Sequence, residues 1–322
     1  MALAGAEAAY SGKKLRMSKS WRGVFVIVPT PFRSDLSVDY DGLRQIVRFC
    51  VDCGVQGVVA SANASEVGYL TDDERRRVTE TVLTGAAGHV AAIAGISSSC
   101  WPVACELARH AEANGADALM AMPPTLQRAS EGEIRAYYAA IGKASALPIF
   151  LQNYGGPGGT PMSVRLMADL LRSVPMAKFV KEETEFSSIA MSELLVEAGE
   201  HCLGVMGGKA GRALLDEHRR GACGTMPACE VSDIHGAVWR ALEAGDAAKA
   251  GEIFRLLLPL LSFETGYGPA IYKEVLRRRG VIACSAFRQT GGRVLDALAH
   301  QELTAILAPL EALMNAGYRL RT

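Results

Sequence analysis

The sequence alternates eight times between a short apolar segment and a longer amphipathic one. The first apolar segment is "GVFVIVPTPF" from Gly23, and the last is "ACGTMPA" from Ala222. The segments between them have helical periodicity, and the one that begins at Thr71 ("TDDE") follows a capping hydroxyl with acidic residues. Continuous apolar strands that alternate with helices are typical of a parallel sheet that is buried on both faces.

Eight strand–helix units predict an α/β fold, a (β/α)8 or TIM barrel, over residues 21–245. An open, doubly wound sheet is the alternative, and it is disfavoured because no G-x-G-x-x-G follows the first strand. Residues 246–322 predict a C-terminal helical extension of three helices packed on the barrel. We expect residues 1–20 to form a disordered leader, because their basic residues are not followed by the apolar core of a secretory signal.

The charge balance gives no reason to expect a nucleic-acid or membrane partner. Lys and Arg together number 34, and Asp and Glu together also number 34. The composition is 49% hydrophobic and 21% charged, which suits a globular protein with a large core. No apolar run approaches the roughly 20 residues that span a bilayer. We therefore expect a cytoplasmic protein whose partner is a small molecule.

The chain has eight cysteines, and two of them, Cys50 and Cys53, form a C-x-x-C pair. This pair lies inside a helical pattern and no second C-x-x-C follows it, so buried free thiols in a reducing compartment are the favoured interpretation. The histidines show no spacing that is typical of metal ligands. The sequence therefore predicts neither a metal ion nor a cofactor.

The end of the sixth strand, "KFVKEE", carries the chemistry that stands out in this chain. In a barrel of this type the active site lies where the strands end, and Lys181 lies there in an otherwise apolar ring. Burial disfavours an ammonium ion, and a neutral amine attacks a carbonyl to form a Schiff base. Strand side chains alternate, so Glu183 shares the face of Lys181, whereas Glu182 points away. The alternative is a lysine that extends out of the barrel or pairs with Glu182.

Four motifs together resemble the dihydrodipicolinate synthase and N-acetylneuraminate lyase family of class I aldolases. They are "PTPF" at the first strand, "SE-x-x-x-LT-x-x-ER" after the second, "GADA…PP" at the fourth and "VKE" at the sixth. The resemblance implies a TIM barrel, a Schiff base between Lys181 and a 2-oxo acid, and a homo-oligomer, either a tetramer or a dimer.

The departures from the family pattern narrow the expected activity. Gln152 stands where the family has a proton-relaying tyrosine, and "YGGPGG" stands where the synthase has an arginine for a second carboxylate. An amide does not titrate. The chain resembles one branch of the family, the L-2-keto-3-deoxyarabonate dehydratases, in four features. They are "AN-x-SE" at strand two, "MPP" at strand four, a glutamine at strand five and K-x-E at strand six. The resemblance implies dehydration of a 2-keto-3-deoxy sugar acid to 2-oxoglutarate semialdehyde.

The predicted site follows from the strand ends and from this resemblance. Lys181 is the covalent residue, Glu183 the general base, and Gln152 a partner of substrate hydroxyls or of a catalytic water. The predicted substrate-binding residues lie at the ends of strands one, two and seven: Pro29, Asn63, Ala64, Ser65, Gly207 and Gly208. Glu66 is expected to be a structural partner rather than an acid.

Several alternatives stay open at this point. Ser65 is either a carboxylate ligand or a cap of the following turn. Gln152 and Asn153 either face substrate or close their strand with local hydrogen bonds. The loop over residues 154–159 is either a substrate-covering lid or a flexible connection. The competing activities are retro-aldol cleavage to pyruvate and an aldehyde, a synthase-like condensation, and binding of a 2-oxo acid without turnover.

Overall fold

Eight parallel strands pair in chain order and close into a barrel in the computed structural model, which describes residues 20–125, 128–289, 291 and 293–321. Closure is made by the last strand against the first, where Gly23 pairs with Gly224. The predicted (β/α)8 barrel with C-terminal helices is therefore confirmed, and the open doubly wound sheet is wrong. The strands are β1 (Gly23–Ile27), β2 (Gly57–Ala60), β3 (Ala91–Gly95), β4 (Ala118–Ala121), β5 (Ile149–Tyr154), β6 (Ala177–Glu183), β7 (Gly204–Gly207) and β8 (Gly224–Thr225).

A helix follows every strand, and three more complete the described chain. The barrel helices are α1 (Tyr40–Asp52), α2 (Asp72–Ala86), α3 (Trp101–Ala113), α4 (Glu131–Ala144), α5 (Val164–Ser173), α6 (Ser187–Ala198), α7 (Leu214–Arg219) and α8 (Ser232–Glu243). The C-terminal helices are α9 (Ala247–Tyr267), α10 (Pro269–Arg278) and α11 (Ala297–Leu307), and short 3-10 turns follow α11. The predicted leader falls outside the described residues except for Ser20.

Helix starts are fixed by local sequence. At α2 the Thr71 hydroxyl accepts a hydrogen bond from the amide of Glu74, and the Glu74 carboxylate accepts one from the amide of Thr71. Ser130 and Glu133 make the same reciprocal pair at α4. Such a capping box satisfies two amides that the first helical turn leaves without partners.

Aromatic side chains fill the lower half of the barrel. Trp21 stacks on Phe25 with ring centroids 5.8 Å apart, and Phe150 stacks on Phe179 at 4.6 Å. Phe179 lies two positions before Lys181 on β6, so both side chains face the barrel interior. The aromatic layer thus forms an apolar floor, and the lysine lies above it at the open end of the barrel.

The C-terminal helices are joined to the barrel by buried charges. Lys273 of α10 forms a fully buried ion pair with Glu66, and it also donates to the carbonyl of Ala286 at 3.0 Å. Arg279, just after α10, forms a second buried ion pair with Asp233 of α8 at 2.5 Å. Removing one partner of such a pair leaves an uncompensated buried charge, so these contacts fix α10 against the mouth of the barrel.

None of the helices in the part of the chain that the structure describes is long and apolar enough to cross a membrane.

Candidate active site

Lys181 and Glu183 lie side by side at the open end of β6. The ammonium nitrogen Nζ of Lys181 is 3.0 Å from Oε2 of Glu183, and the two residues are 3% and 6% exposed. The alternation of side chains along β6 places both on the inner face. An amine and a carboxylate are therefore within hydrogen-bonding distance of each other in a site that is largely removed from water.

Gln152 contacts the base rather than the open cavity. Gln152 lies opposite Lys181 in the pairing of β5 with β6. Its side-chain amide donates a hydrogen bond to Oε2 of Glu183 at 2.6 Å. This bond fixes the carboxylate in the orientation that faces Lys181. The predicted contact of Gln152 with substrate or water stays a prediction.

Glu182 and Asn153 form a pair on the outer face of the same two strands. The Asn153 amide donates to Oε2 of Glu182 at 2.7 Å, and its carbonyl oxygen accepts from the amide of Met162 at 2.7 Å. Burial raises the pKa of Glu182, while hydrogen bonds from Thr184 and Asn153 lower it. Asn153 thus closes its strand through local hydrogen bonds, one of the alternatives that the sequence left open.

The turn after β2 places its residues in two environments. Asn63 and Ala64 line the cavity above Lys181. Ser65 is fully buried, and its hydroxyl donates to the carbonyl of Val28 at 2.6 Å and accepts from the amide of Ala62 at 3.2 Å. The amide of Ser65 donates to the carbonyl of Ala62 at 2.9 Å. The polar groups of Ser65 therefore hold the turn, which favours its role as a cap over its role as a carboxylate ligand.

Glu66 has the structural role that the sequence predicted for it. Besides its ion pair with Lys273, its carboxylate accepts hydrogen bonds from the amides of Arg288 at 2.7 Å and Gln289 at 3.0 Å. Burial lowers the pKa of Lys273 to about 8 against the opposing effect of Glu66. Glu66 thus joins the β2 turn to the C-terminal segment and does not face the cavity.

Gly207 and Gly208 make room for carboxylates. A Cβ atom at Gly208 would lie 2.2 Å from Oε1 of Glu183, and one at Gly207 would lie 1.8 Å from Oε2 of Glu217. Among the described residues that line the cavity, neither glycine is present, and Pro29 is also absent. Gly208 therefore leaves room for the Glu183 carboxylate, and the substrate contacts predicted for Gly207, Gly208 and Pro29 stay predictions.

The backbone after β7 is strained where it meets Glu183. Lys209 and Ala210 both have positive φ, at 48° and 60°, a region that residues other than glycine occupy rarely. The amide of Lys209 donates to Oε1 of Glu183 at 3.3 Å. Such conformations persist where the surrounding structure determines them, often at functional sites. Both oxygens of Glu183 therefore receive a donor, one from the strained loop and one from Gln152.

The site opens into a cavity of about 460 Å³ at the end of the barrel. Its described lining comprises Ile27, Asn63, Ala64, Tyr154, Gly155, Gly156, Pro157, Lys181, Glu183, Lys209, Ala210, Arg212, Met226, Ala228, Leu261, Glu264, Thr265, Gly268 and Tyr272. The volume suits a small polar ligand. The walls come from the strand ends, from the loop after β5 and from helices α9 and α10.

Sequence reasoning missed two phenols in this cavity. Tyr154 ends β5 on the face of Gln152 and pairs with Glu183 in the register, a position that alternation along β5 identifies. Gly156 packs against its ring, since a Cβ there would lie 2.2 Å from the Tyr154 hydroxyl. Burial raises the pKa of Tyr154, and Glu183 adds to the effect. Tyr272 comes from α10, and no local pattern at that helix indicates a site residue.

The described residues include no group of three or more His, Cys, Asp or Glu side chains that is arranged to hold a metal ion. Cys50 and Cys53 are buried free thiols, and the other six cysteines are also free. Burial raises the pKa of Cys53 above its usual range. The C-x-x-C pair therefore belongs to the core rather than to the site.

Comparison with known proteins supports a family assignment. Residues 20–308 match the dihydrodipicolinate synthetase family. The chain is 31% identical over 266 residues to an L-2-keto-3-deoxyarabonate dehydratase of Azospirillum brasilense, with 81% of this chain and 86% of the relative covered. It is 30% identical over 240 residues to a 4-hydroxy-tetrahydrodipicolinate synthase of Rhizobium meliloti strain 1021, with coverage of 74% and 81%.

Solved structures agree with this assignment. The crystal structure of dihydrodipicolinate synthase from Rhodopseudomonas palustris superposes with a TM-score of 0.83 at 26% identity, covering 90% of this chain and 98% of that one. The resemblance inferred from four motifs is thus confirmed over most of the chain. The chain belongs to the dihydrodipicolinate synthetase family and is, like these relatives, an enzyme.

Proposed function

We propose that this enzyme is a Schiff-base-forming lyase that dehydrates a 2-keto-3-deoxy sugar acid, with L-2-keto-3-deoxyarabonate as the preferred substrate and 2-oxoglutarate semialdehyde as the product. The observation that carries the proposal is the 3.0 Å contact between Lys181 Nζ and Glu183 Oε2 inside the cavity. The resemblance to the Azospirillum dehydratase supports the choice of reaction.

The first step is imine formation at C2. Glu183 accepts a proton from Lys181, and the neutral amine attacks the C2 carbonyl. Glu183 then returns the proton to the carbinolamine oxygen, which leaves as water. The substrate carboxylate is assigned to the turn after β2, where Asn63 and Ala64 line the cavity.

The second step is elimination across C3 and C4. The iminium acidifies the C3 protons, and Glu183 removes one of them to give an enamine. The enamine expels the C4 hydroxyl, which takes up a proton and leaves as water. Tyr154 pairs with Glu183 across the strands and lines the cavity, so we assign it or protonated Glu183 as the acid.

The remaining steps move protons and restore the lysine. A proton leaves C5 and another is added at C3, so that the double bond moves to C4–C5 as an enol. The enol becomes the C5 aldehyde, and hydrolysis of the imine regenerates Lys181. The net change is the loss of one water molecule.

The loop after β5 is proposed as a lid over this chemistry. Gly155, Gly156 and Pro157 line the cavity from above. A loop in this place excludes water from the enamine, which protects the intermediate from premature protonation.

We also propose a cytoplasmic homo-oligomer, either a tetramer or a dimer. Helix α6 exposes Ile189 and Val196, which are seven residues apart and so lie on one face, and Phe186 is exposed just before that helix. Exposed apolar side chains that lie together are typical of a contact surface. Sedimentation of the purified protein tests the oligomeric state.

A second candidate activity is the condensation of pyruvate with aspartate semialdehyde. The name of the Rhizobium relative and the phenol of Tyr154 favour it. Arg212 also lines the cavity, although it comes from the segment after β7 rather than from the loop after β5. The retro-aldol alternative uses the same lysine but needs a base at the C4 hydroxyl.

One product analysis tests these activities together. The purified enzyme is incubated with L-2-keto-3-deoxyarabonate, and separately with pyruvate and aspartate semialdehyde, and the products are identified by mass. We expect 2-oxoglutarate semialdehyde from the sugar acid and little turnover of the second pair. Pyruvate and glycolaldehyde would establish cleavage instead, and efficient condensation would make the enzyme a synthase.

A further inference from the structure

One end of the cavity is made by a carboxyl group that the chemistry at Lys181 does not use. Glu264 of α9 is 4% exposed and lines the cavity, and apart from the neighbouring carboxyl group of Glu230 its oxygens have no hydrogen-bond partner among the described residues. An unpaired polar group in such a place is costly unless something binds it. This free hydrogen-bonding capacity indicates a ligand group at this end of the cavity.

The surroundings of Glu264 favour the protonated form of its carboxyl group. Burial raises the pKa of Glu264 well above its usual range, neighbouring Glu230 raises it further, and Arg212 opposes them. Glu230 is also buried, and its Oε2 atom has no hydrogen-bond partner among the described residues. The protonated form of a carboxyl group both donates and accepts hydrogen bonds.

Tyr272 connects this end of the cavity with the catalytic end. Its side chain lines the cavity, and burial raises the pKa of its phenol, with further contributions from Glu264, Glu230, Tyr154 and Glu183. Tyr272, Glu264 and Glu183 all line the same cavity. The phenol of Tyr272 thus adds a second polar group to the wall that α9 and α10 form.

The chemistry of a hydroxyl matches this lining. An alcohol donates one hydrogen bond and accepts others, which complements the carboxyl group and the phenol that line this part of the cavity. A cationic ligand fits less well, because Arg212 lines the same cavity and its guanidinium donates a 3.0 Å hydrogen bond to Thr265, the residue next to Glu264.

We propose that Glu264, together with Tyr272, binds the hydroxyl-bearing end of the substrate, so that the C-terminal helices select polyhydroxy 2-oxo acids over pyruvate. This inference rests on the proposed function and deepens it, since it names the residue that recognises the hydroxyl groups of the substrate beyond C3. It makes Glu264 a specificity-determining residue rather than a base for the elimination.

The test compares two 2-oxo acids in one assay. Pyruvate has no hydroxyl, whereas L-2-keto-3-deoxyarabonate has hydroxyls at C4 and C5, and both are trapped on Lys181 with borohydride and quantified by mass. Glu264→Leu should raise the concentration needed for half-maximal trapping of the sugar acid about 10- to 100-fold, because a buried hydroxyl loses its partner. Trapping of pyruvate should be unchanged.

Two variants serve as controls. Glu264→Gln keeps the shape and hydrogen-bonding capacity and should restore most of the preference for the sugar acid. Glu252→Gln changes an exposed glutamate on the same helix and should alter neither trapping curve. Thermal unfolding shows that each variant is folded.

The outcomes separate this inference from the proposed function. An equal loss for both acids in Glu264→Leu, or no loss for either, overturns the role of Glu264. Product formation by the parent enzyme decides the dehydratase assignment independently, since it does not depend on any Glu264 variant.

Discussion

The side-chain amide of Asn153 donates a 2.7 Å hydrogen bond to Glu182 on the face of the β5–β6 pair that is turned away from Lys181. The adjacent glutamate, Glu183, is 3.0 Å from the lysine on the inner face. Two carboxylates that are neighbours in sequence thus have separate environments, one structural and one facing the cavity.

This separation gives a matched pair of variants for proton abstraction. Glu183→Gln keeps size and hydrogen bonding but removes the base, so exchange of the C3 protons of 2-oxobutanoate into deuterated water should fall about 100- to 10,000-fold. Imine trapping should survive, because Lys181 stays in place. Glu182→Gln should exchange at close to the parental rate. The opposite pattern would make Glu182 the base.

Lys181 should be the residue that becomes covalently modified. Incubation with pyruvate and borohydride should add a reduced pyruvyl group to the peptide that contains Lys181, and Lys181→Arg should abolish the adduct. Lys209 lines the same cavity and provides the control, since Lys209→Met should still be trapped. An adduct on Lys209 in the parent enzyme would contradict the assignment.

Gly208→Ala should lower kcat because it displaces the Glu183 carboxylate. The added Cβ would lie 2.2 Å from Oε1 of Glu183 and would displace that carboxylate. A displacement of about 1 Å can cost on the order of 100-fold in rate, so we expect a loss of that size in kcat. Gly132→Ala on α4, where a Cβ meets no atom within 4 Å, should retain parental activity. Parental activity in Gly208→Ala would show that Glu183 does not need its observed position.

Lys273→Met should destabilise the fold by about 3–5 kcal/mol, because it leaves the buried carboxylate of Glu66 without its cation. The double variant Lys273→Met, Glu66→Gln should recover part of that loss. Denaturant unfolding measures both. Arg44→Met removes an exposed ion pair with Asp41 and should cost at most about 1 kcal/mol. A Lys273→Met variant as stable as the parent would show that the pair does not hold α10.

Glu217 should make stability depend on pH. Burial raises its pKa to about 7 from an ordinary 4.5, opposed by a hydrogen bond from Ser187. The contribution of Glu217 to the free energy of unfolding is therefore fully present below about pH 4.5. It is lost as the pH rises through about 7, and the loss reaches up to about 3 kcal/mol. Glu217→Gln removes this titration, so its stability relative to the parent should increase between about pH 5 and about pH 8. If the free energies of unfolding of the variant and the parent differed by the same amount across that pH range, the raised pKa of Glu217 would be refuted.

The barrel was predictable because periodicity and strand composition are local properties of the sequence. Alternation along β6 also placed Lys181 and Glu183 together, since strand geometry alone determines which side chains share a face. The same rule applied to β5 places Tyr154 on the face of Gln152, although the family pattern has its tyrosine at the position of Gln152 itself.

Other parts of the site depend on contacts between distant segments. The role of Gly208 follows from the approach of Glu183 from another strand, and the hydroxyl of Ser65 bonds Val28 rather than facing the cavity. Glu264 and Tyr272 reach the cavity because α9 and α10 pack across the mouth of the barrel. No spacing of residues in the sequence predicts how α9 and α10 pack on the barrel.

The position of α9 and α10 has a consequence for biosynthesis. The lysine and its base emerge from the ribosome well before Glu264 and Tyr272, and before Lys273 can pair with Glu66. A nascent chain that ends at β8 therefore contains Lys181 and Glu183 but lacks the part of the cavity wall that α9 and α10 supply. In the function proposed above, the residues that select the substrate are therefore synthesised after the residues that carry the chemistry.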